Sequence, residues 1–247
     1  MKKIMIFVAV IMMAISAQAQ DNIVKLGVGG LWYGGINLEY ERVLTEKTSI
    51  LGEIGFTVPR NFGEERINGW VDFFGIQDAE SSINITSIKL NTFYFAAEYR
   101  YYLGSEVAKG FYAAPYLKLS NYSASAEGNY DNNNLIDIAS DIEIQYFTAS
   151  VGASIGHQWI INDQITVNWN ILGLGLGINT VSANFTSTDQ NNVFAEWEKD
   201  VKEFLDGLPF VGDKFETTSD NATKKIDGSA TLISPTFRFG LSIGYMF

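Results

Sequence analysis

The chain has 247 residues, a formal net charge of −11, one histidine and no cysteine. Without cysteine it has no lipoprotein anchor, no disulfide framework and no thiolate metal or redox chemistry. Its acidity argues against nucleic acid, whose phosphates call for a basic footprint.

The first segment reads as an address. Lys2 and Lys3 precede an apolar run from Ile4 to Ile15, and Ala17-Gln18-Ala19 has the small-x-small pattern of a cleavage site. Residues 1–19 are therefore expected to be a secretory signal peptide, with a mature start near Gln20. The run is too short for a spanning helix, which needs about 20 apolar residues, and no later stretch is long enough either. If the mature chain enters a membrane, a closed β-barrel is the remaining solution. Residues 20–247 are expected to form one such domain.

From there on, apolar and polar residues alternate with a period of two, the pattern of strands with one apolar face. Eight strands are predicted, at roughly 22–31, 35–44, 48–58, 87–103, 110–123, 141–160, 164–181 and 230–247. In the fourth, Phe93, Phe95, Ala97, Tyr99, Tyr101 and Leu103 oppose Tyr94, Ala96, Glu98 and Arg100. In the sixth, Phe147, Ala149, Val151, Ala153, Ile155 and Trp159 oppose Thr148, Ser150, Gly152, Ser154, Gly156 and Gln158. The seventh changes step, because Ile165, Val167, Trp169 and Ile171 give way to Leu172, Leu174, Leu176 and Ile178. A β-bulge is expected near Ile171 and Leu172. In the eighth, Phe237, Phe239, Leu241, Ile243, Tyr245 and Phe247 oppose Thr236, Arg238, Gly240, Ser242, Gly244 and Met246.

A soluble barrel would turn the bulky set inward around a ligand. Here the other face is glycine, small polar residues and charges, which suits a narrow polar lumen with the bulky residues facing lipid. The inward charges are Lys25, Glu39, Glu41, Glu53, Glu98, Arg100, Lys118 and Arg238, four acids and four bases. A balanced set in so narrow a lumen is expected to be a packing network; a polar permeation path is the competing reading.

Connections alternate between short (45–47, 104–110, 161–163) and long (59–86, 124–140, 182–229), apart from a very tight one at 32–34. The last long connection carries a helix-like stripe, Val193, Phe194, Trp197, Val201, Phe204, Leu205 and Leu208, at helical spacing. A helical insertion at about 189–215 is expected, acting as a lid or as a docking surface. Trp32, Tyr33, Trp159, Tyr245 and Phe247 are assigned to aromatic girdles at the two interfaces. Trp70 and Phe73 remain open to a carbohydrate role. Glu64, Glu65, Asp72, Asp78 and Glu80 are read as solvated.

Several separated segments carry a resemblance. Lys25-Leu26-Gly27, Gly35 to Arg42, Tyr99 to Leu103, Gly110 to Lys118, Leu208 to Gly212 and Leu241 to Phe247 together resemble an uncharacterised family of small outer-membrane barrels common in Bacteroidetes, of the OmpA/OmpW type. The resemblance implies an all-β, eight-stranded antiparallel up-and-down transmembrane barrel in the bacterial outer membrane, and it brings no catalytic residue. Phe247, with Tyr245 two before it, resembles the signal read by barrel-assembly machinery.

The expected role is a non-enzymatic integral outer-membrane protein, structural or interactive at the cell surface, with no cofactor and no metal. The alternative is a narrow channel or lateral conduit for small, apolar solutes. A lipid-modifying enzyme is a third reading. It needs a general base, and His157 falls on the outward face beside Ile155 and Trp159. The expected partners are outer-membrane lipid and the assembly machinery, besides an unidentified surface partner.

Overall fold

The computed structural model describes residues 22–31, 34–58, 60–63, 83–104, 106–131, 137–187, 198, 199, 201, 202, 205 and 214–247. The expected signal peptide, Trp32, Tyr33, Trp70, Phe73, the acids between 64 and 80, and most of the 189–215 segment lie outside them.

The strands are β1 (Asn22–Gly27), β2 (Gly35–Thr45), β3 (Thr48–Thr57), β4 (Arg60–Gly63), β5 (Ile83–Tyr102), β6 (Gly110–Asp131), β7 (Asp137–Ile161), β8 (Ile165–Ser187), β9 (Glu216–Asp220) and β10 (Lys225–Met246). They form one antiparallel sheet in the order β1-β2-β3-β5-β6-β7-β8-β10-β9, with β4 on β5. Pairing of Ile23 with Met246 through Gly27 with Ser242 joins β1 to β10 and closes the ring. The last residue completes the seam, since Phe247 N donates to Asn22 O at 2.9 Å.

Among the described residues there are ten strands, not the eight expected. β4 continues the line of β3 along β5: Phe56 pairs with Phe93, and Arg60 with Leu90. Pro59, which lacks a ladder donor, stands between the two in sequence. β9 forms a hairpin with β10, pairing Asp220 with Lys225 through Glu216 with Ser229. Its turn is tied by the Asp220 carboxylate, which accepts from Ala222 N at 2.9 Å and Thr223 Oγ1 at 2.8 Å.

The expected boundaries also need correcting, mostly outward. β6 runs to Asp131 and β7 begins at Asp137, so only residues 132–136 separate them where a connection of 124–140 was expected. β8 reaches Ser187 and β10 starts at Lys225. These extensions mix Ser, Thr, Asn and Asp with single inward apolar residues such as Ala183, Phe185 and Ile226, so they carry only a short apolar alternation to read. β1 errs the other way and stops at Gly27. The bulge falls where expected: Ile155 pairs with Leu172 and Gly156 with Asn170, leaving Ile171 unmatched.

The sheet is inside-out relative to a soluble barrel. Val151, Ile155, Leu174, Leu176, Ile178, Phe237 and Phe239 on its outer face are each more than half exposed. Lys25, Glu41, Glu98 and Arg100 on its inner face are almost fully buried. On β10 the apolar outer band runs from Ile233 to Tyr245, roughly 30 Å of height for a strand tilted about 45°. No helix among the described residues is long and apolar enough to cross a membrane.

Candidate functional site

The strand alternation gathers eight charged side chains on the inner face, and three levels can be distinguished along it. At the end with the short connections, Glu41 on β2 is the hub. It takes an ion pair from Lys25 on β1, a hydrogen bond from Ser49 Oγ on β3, one from Tyr102 Oη at 2.6 Å, and one from Arg100 Nη1 at 3.1 Å. Arg100 on β5 then spans the lumen. Its Nε donates to Glu98 Oε2 at 2.7 Å and its Nη1 to Asn168 Oδ1 on β8 at 3.2 Å. Its guanidinium also lies 4.3 Å from the centre of the Tyr112 ring on β6. The strand alternation places all these groups inward, and their pairing satisfies charges that would be costly alone.

Below this layer an apolar cluster of Ile23, Val43, Tyr102, Ala108, Tyr112, Ala114 and Met246 fills the floor. Gln158, completely buried, closes it by donating to Ala108 O at 2.8 Å. Gly156 leaves the space the Tyr112 ring needs, since a Cβ there would come within 2.3 Å of that ring.

In the middle level, Arg238 on β10 pairs with both Glu53 on β3 and Glu98. The contact to Glu98 is an ion pair without hydrogen-bond geometry between Oε1 and Nη1. Tyr94 Oη donates to Glu53 Oε1 at 2.6 Å, and its ring covers Gly55. Glu39 is held by Ser242 Oγ at 3.1 Å and lies 3.9 Å from Lys25 Nζ. Lys118 on β6 differs from the other three cations. Among the described residues no carboxylate lies within ion-pair distance of it, and its ammonium rests 4.3 Å from the centre of the Tyr94 ring.

At the far end, Asn179 on β8 accepts from Tyr146 Oη at 2.6 Å and Thr148 Oγ1 at 2.7 Å, and donates to Ser234 Oγ at 2.9 Å. Above it Ile142, Ala183, Phe185 and Ile226 pack with Val201 and Leu205. No helix stands among the elements of the described residues, so the expected helical insertion at 189–215 is not shown; of its stripe only Val201 and Leu205 are described, each at a helical position and buried in this cluster. Val193, Phe194, Trp197, Phe204 and Leu208 lie outside the described residues. Glu198, also helical, accepts from Lys202 Nζ and from Ser219 Oγ on β9, each at 2.6 Å. Those two bonds hold its carboxyl below the usual carboxylate range.

All eight predicted lumen charges thus face inward, seven of them joined in ion pairs. Tyr94, which the alternation already places inward, is joined in the lining by Tyr102, Tyr112 and Tyr116, which a search for charges alone passes over. The same alternation that placed Lys118 inward places Tyr112 and Tyr116 there too. His157 sits on the outer face between Phe111 and Trp159, with ring centroids 4.5 and 4.3 Å away. Tyr245 and Phe247 stack with ring centroids 6.4 Å apart. Among the described residues no cluster of His, Asp or Glu is arranged to hold a metal.

Residues 4–202 match the family described as protein of unknown function DUF3575. The chain belongs to that family. In this DUF3575 member the matched region stops before β9 and β10. No curated protein matches the sequence. Among solved structures, a major outer membrane protein from Thermus thermophilus is similar over 93% of this chain and 100% of its own, with 13% identity and a TM-score of 0.41.

Proposed function

We propose that this DUF3575 protein is an integral barrel of the bacterial outer membrane, exported by its leader, with a non-enzymatic structural or interaction role at the cell surface. The observation that carries the reading is the inversion of polarity: bulky apolar residues outside, an ion network inside. Water gives no reason to expose Phe237 and Phe239 while burying Arg100; hydrocarbon does. On this reading the barrel has eight staves of the OmpA/OmpW type, with β4 and β9 as extensions at the outer rim. The short connections face the periplasm, and Tyr245 and Phe247 serve the assembly machinery. The apolar floor and the cluster of Val201 and Leu205 with Ile142, Ala183, Phe185 and Ile226 put apolar side chains at both ends of the interior among the described residues, which counts against an open channel.

Fractionation and gel mobility test this. The protein is expected in the outer-membrane fraction, and to migrate differently before and after boiling. Recovery as a soluble monomer without detergent contradicts the proposal. Charge placed on the belt offers a quantitative check. Val151→Arg should cost about 2–4 kcal/mol of folding free energy in bilayers and Gln145→Arg, beyond the apolar band on the same face, about 0–1 kcal/mol.

A second reading has its own observation. Sideways passage of a small apolar solute through the wall draws on the ladder of β10, which from Ala230 to Gly240 has a partner on the β8 side only among the described residues.

A further inference from the structure

Three asparagines line the inner face of β8, and the fold treats them unequally. Asn168 Oδ1 accepts from Arg100 Nη1 at 3.2 Å and from Tyr112 Oη at 3.0 Å, and its Nδ2 donates to Ser242 Oγ at 3.2 Å. Asn179 accepts from two hydroxyls, and its Nδ2 donates to Gly177 O at 2.8 Å and Ser234 Oγ at 2.9 Å. Asn170 is only 4% exposed, yet neither its Oδ1 nor its Nδ2 has a hydrogen-bond partner within the protein. A buried amide with both ends unmet is costly for a fold to keep.

The register explains the difference. Ser242 on β10 and Gln158 on β7 stand opposite Asn168, whereas Gly240 and Gly156 stand opposite Asn170 and offer it no side chain. The two glycines are not equivalent. The Tyr112 ring takes the space over Gly156, where a Cβ would come within 2.3 Å of it, but a Cβ on Gly240 would meet nothing within 4 Å among the described residues. Asn170 therefore has room beside it on the β10 side, wide enough that a methyl at Gly240 would border the space without filling it. Thr166 Oγ1 is also buried without a partner and faces Gly244, but there Val24 O and Lys25 Cγ already occupy the place.

The chemistry of the amide selects the occupant. It is uncharged and offers both an acceptor and two donors, so its complement is a small neutral molecule that donates and accepts. A second anchor is at hand. Asn168 lies two residues earlier on the same face and spends one of its two amide protons, on Ser242 Oγ. Same-face residues on a strand are about 6.7 Å apart. Two hydrogen bonds through one oxygen span about 5.6–6 Å. Water fits that span and is held in protein interiors by just such groups.

We infer that Asn170 and Asn168 bind an ordered water molecule on the inner face of β8, in the space left by Gly240. The isotope-labelled full chain in phosphatidylcholine bilayers tests this, by transfer of magnetisation from water protons to the side-chain amides in proton-detected NMR. Transfer to the Nδ2 protons of Asn170 and Asn168 is expected to build up several-fold faster than to those of Asn179, whose partners are all protein groups. Asn170→Leu should reduce transfer at Asn168 to the level of Asn179. Asn170→Ser, which keeps a donor and an acceptor, should retain most of it.

Transfer to Asn170 no faster than to Asn179 would overturn the inference, and that result comes from the unmodified chain even if Asn170→Leu does not assemble. Rapid transfer at all three asparagines would overturn it too, as the mark of a flooded lumen rather than a site. So would transfer at Asn168 that Asn170→Leu leaves unchanged. None of this requires the membrane reading: a chain recovered in buffer is measured there in the same way, and the two fail separately.

Discussion

Two stretches of β10 follow the same alternation and end up in different environments. From Ser242 to Met246 the strand is paired on both sides and its inward residues meet the charged layer and floor of the barrel. From Ala230 to Gly240 its only ladder partner among the described residues is β8, and the inward face from Leu232 to Gly240 is partly accessible. The lower stretch is built for rigidity, because every charge there has several partners. The upper one keeps polar groups in hand. The contrast teaches that ring closure needs only a short seam: pairing of Ile23 to Gly27 with Met246 to Ser242 closes the circuit.

The largest effect expected from this contrast is at the hub. Glu41→Ala leaves Lys25 and Arg100 short of a buried counter-charge and should cost about 3–5 kcal/mol, read as a fall in the denaturant midpoint of the heat-modifiable form. In the upper stretch, Thr236→Val removes a hydroxyl that bonds nothing and should be neutral or mildly stabilising. Equal losses at both sites would erase the distinction.

Two glycines sharpen it at smaller scale. A Cβ on Gly244 would come within 2.4 Å of Val24 O and 2.5 Å of Lys25 Cγ, whereas one on Gly240 meets nothing within 4 Å. Gly244→Ala should therefore cost about 1–3 kcal/mol, and Gly240→Ala should stay within about 0.5 kcal/mol, measured by the same unfolding assay.

The smallest effect lies at the rim. Glu198 ties the helical segment to β9, and its carboxyl is held low by Lys202 and Ser219. A depressed carboxylate contributes stability above its unfolded value, lost as pH falls through the folded one. The amides of residues 198–205 should thus lose hydrogen-exchange protection only below the usual carboxylate range, while those of the floor do not change. Loss beginning near neutral pH would show that Glu198 is not the tie.

How much of this was legible follows from the physics of each region. Within the apolar band the period of two fixed every inward charge, and Ile171 announced its own bulge. Beyond the band the outward face turns polar and the inward face mixes Ile142, Ala183, Phe185 and Ile226 with small polar residues, so the short β4 and β9 and the outer parts of β6, β7 and β8 offered only brief alternation to read. The inward tyrosines were within reach, since Tyr112 and Tyr116 share the parity of Lys118. Pro235 was the one local signal on β10 for a position without a ladder donor, but which strand lies beside it depends on where β1 stops, a tertiary property. The partnering of Glu41 by Arg100 across 59 positions of sequence is likewise a product of closure.

The central claim concerns which face of the wall meets hydrocarbon. Because the chain has no cysteine, single spin labels can be placed at each position from Ser150 to Ile155 on β7 in lipid bilayers and their collision with oxygen and a water-soluble nickel chelate measured. Labels at 151, 153 and 155 should collide readily with oxygen and hardly with nickel, and those at 150, 152 and 154 with neither. High nickel collision at the odd positions, or high oxygen collision at the even ones, would contradict the account.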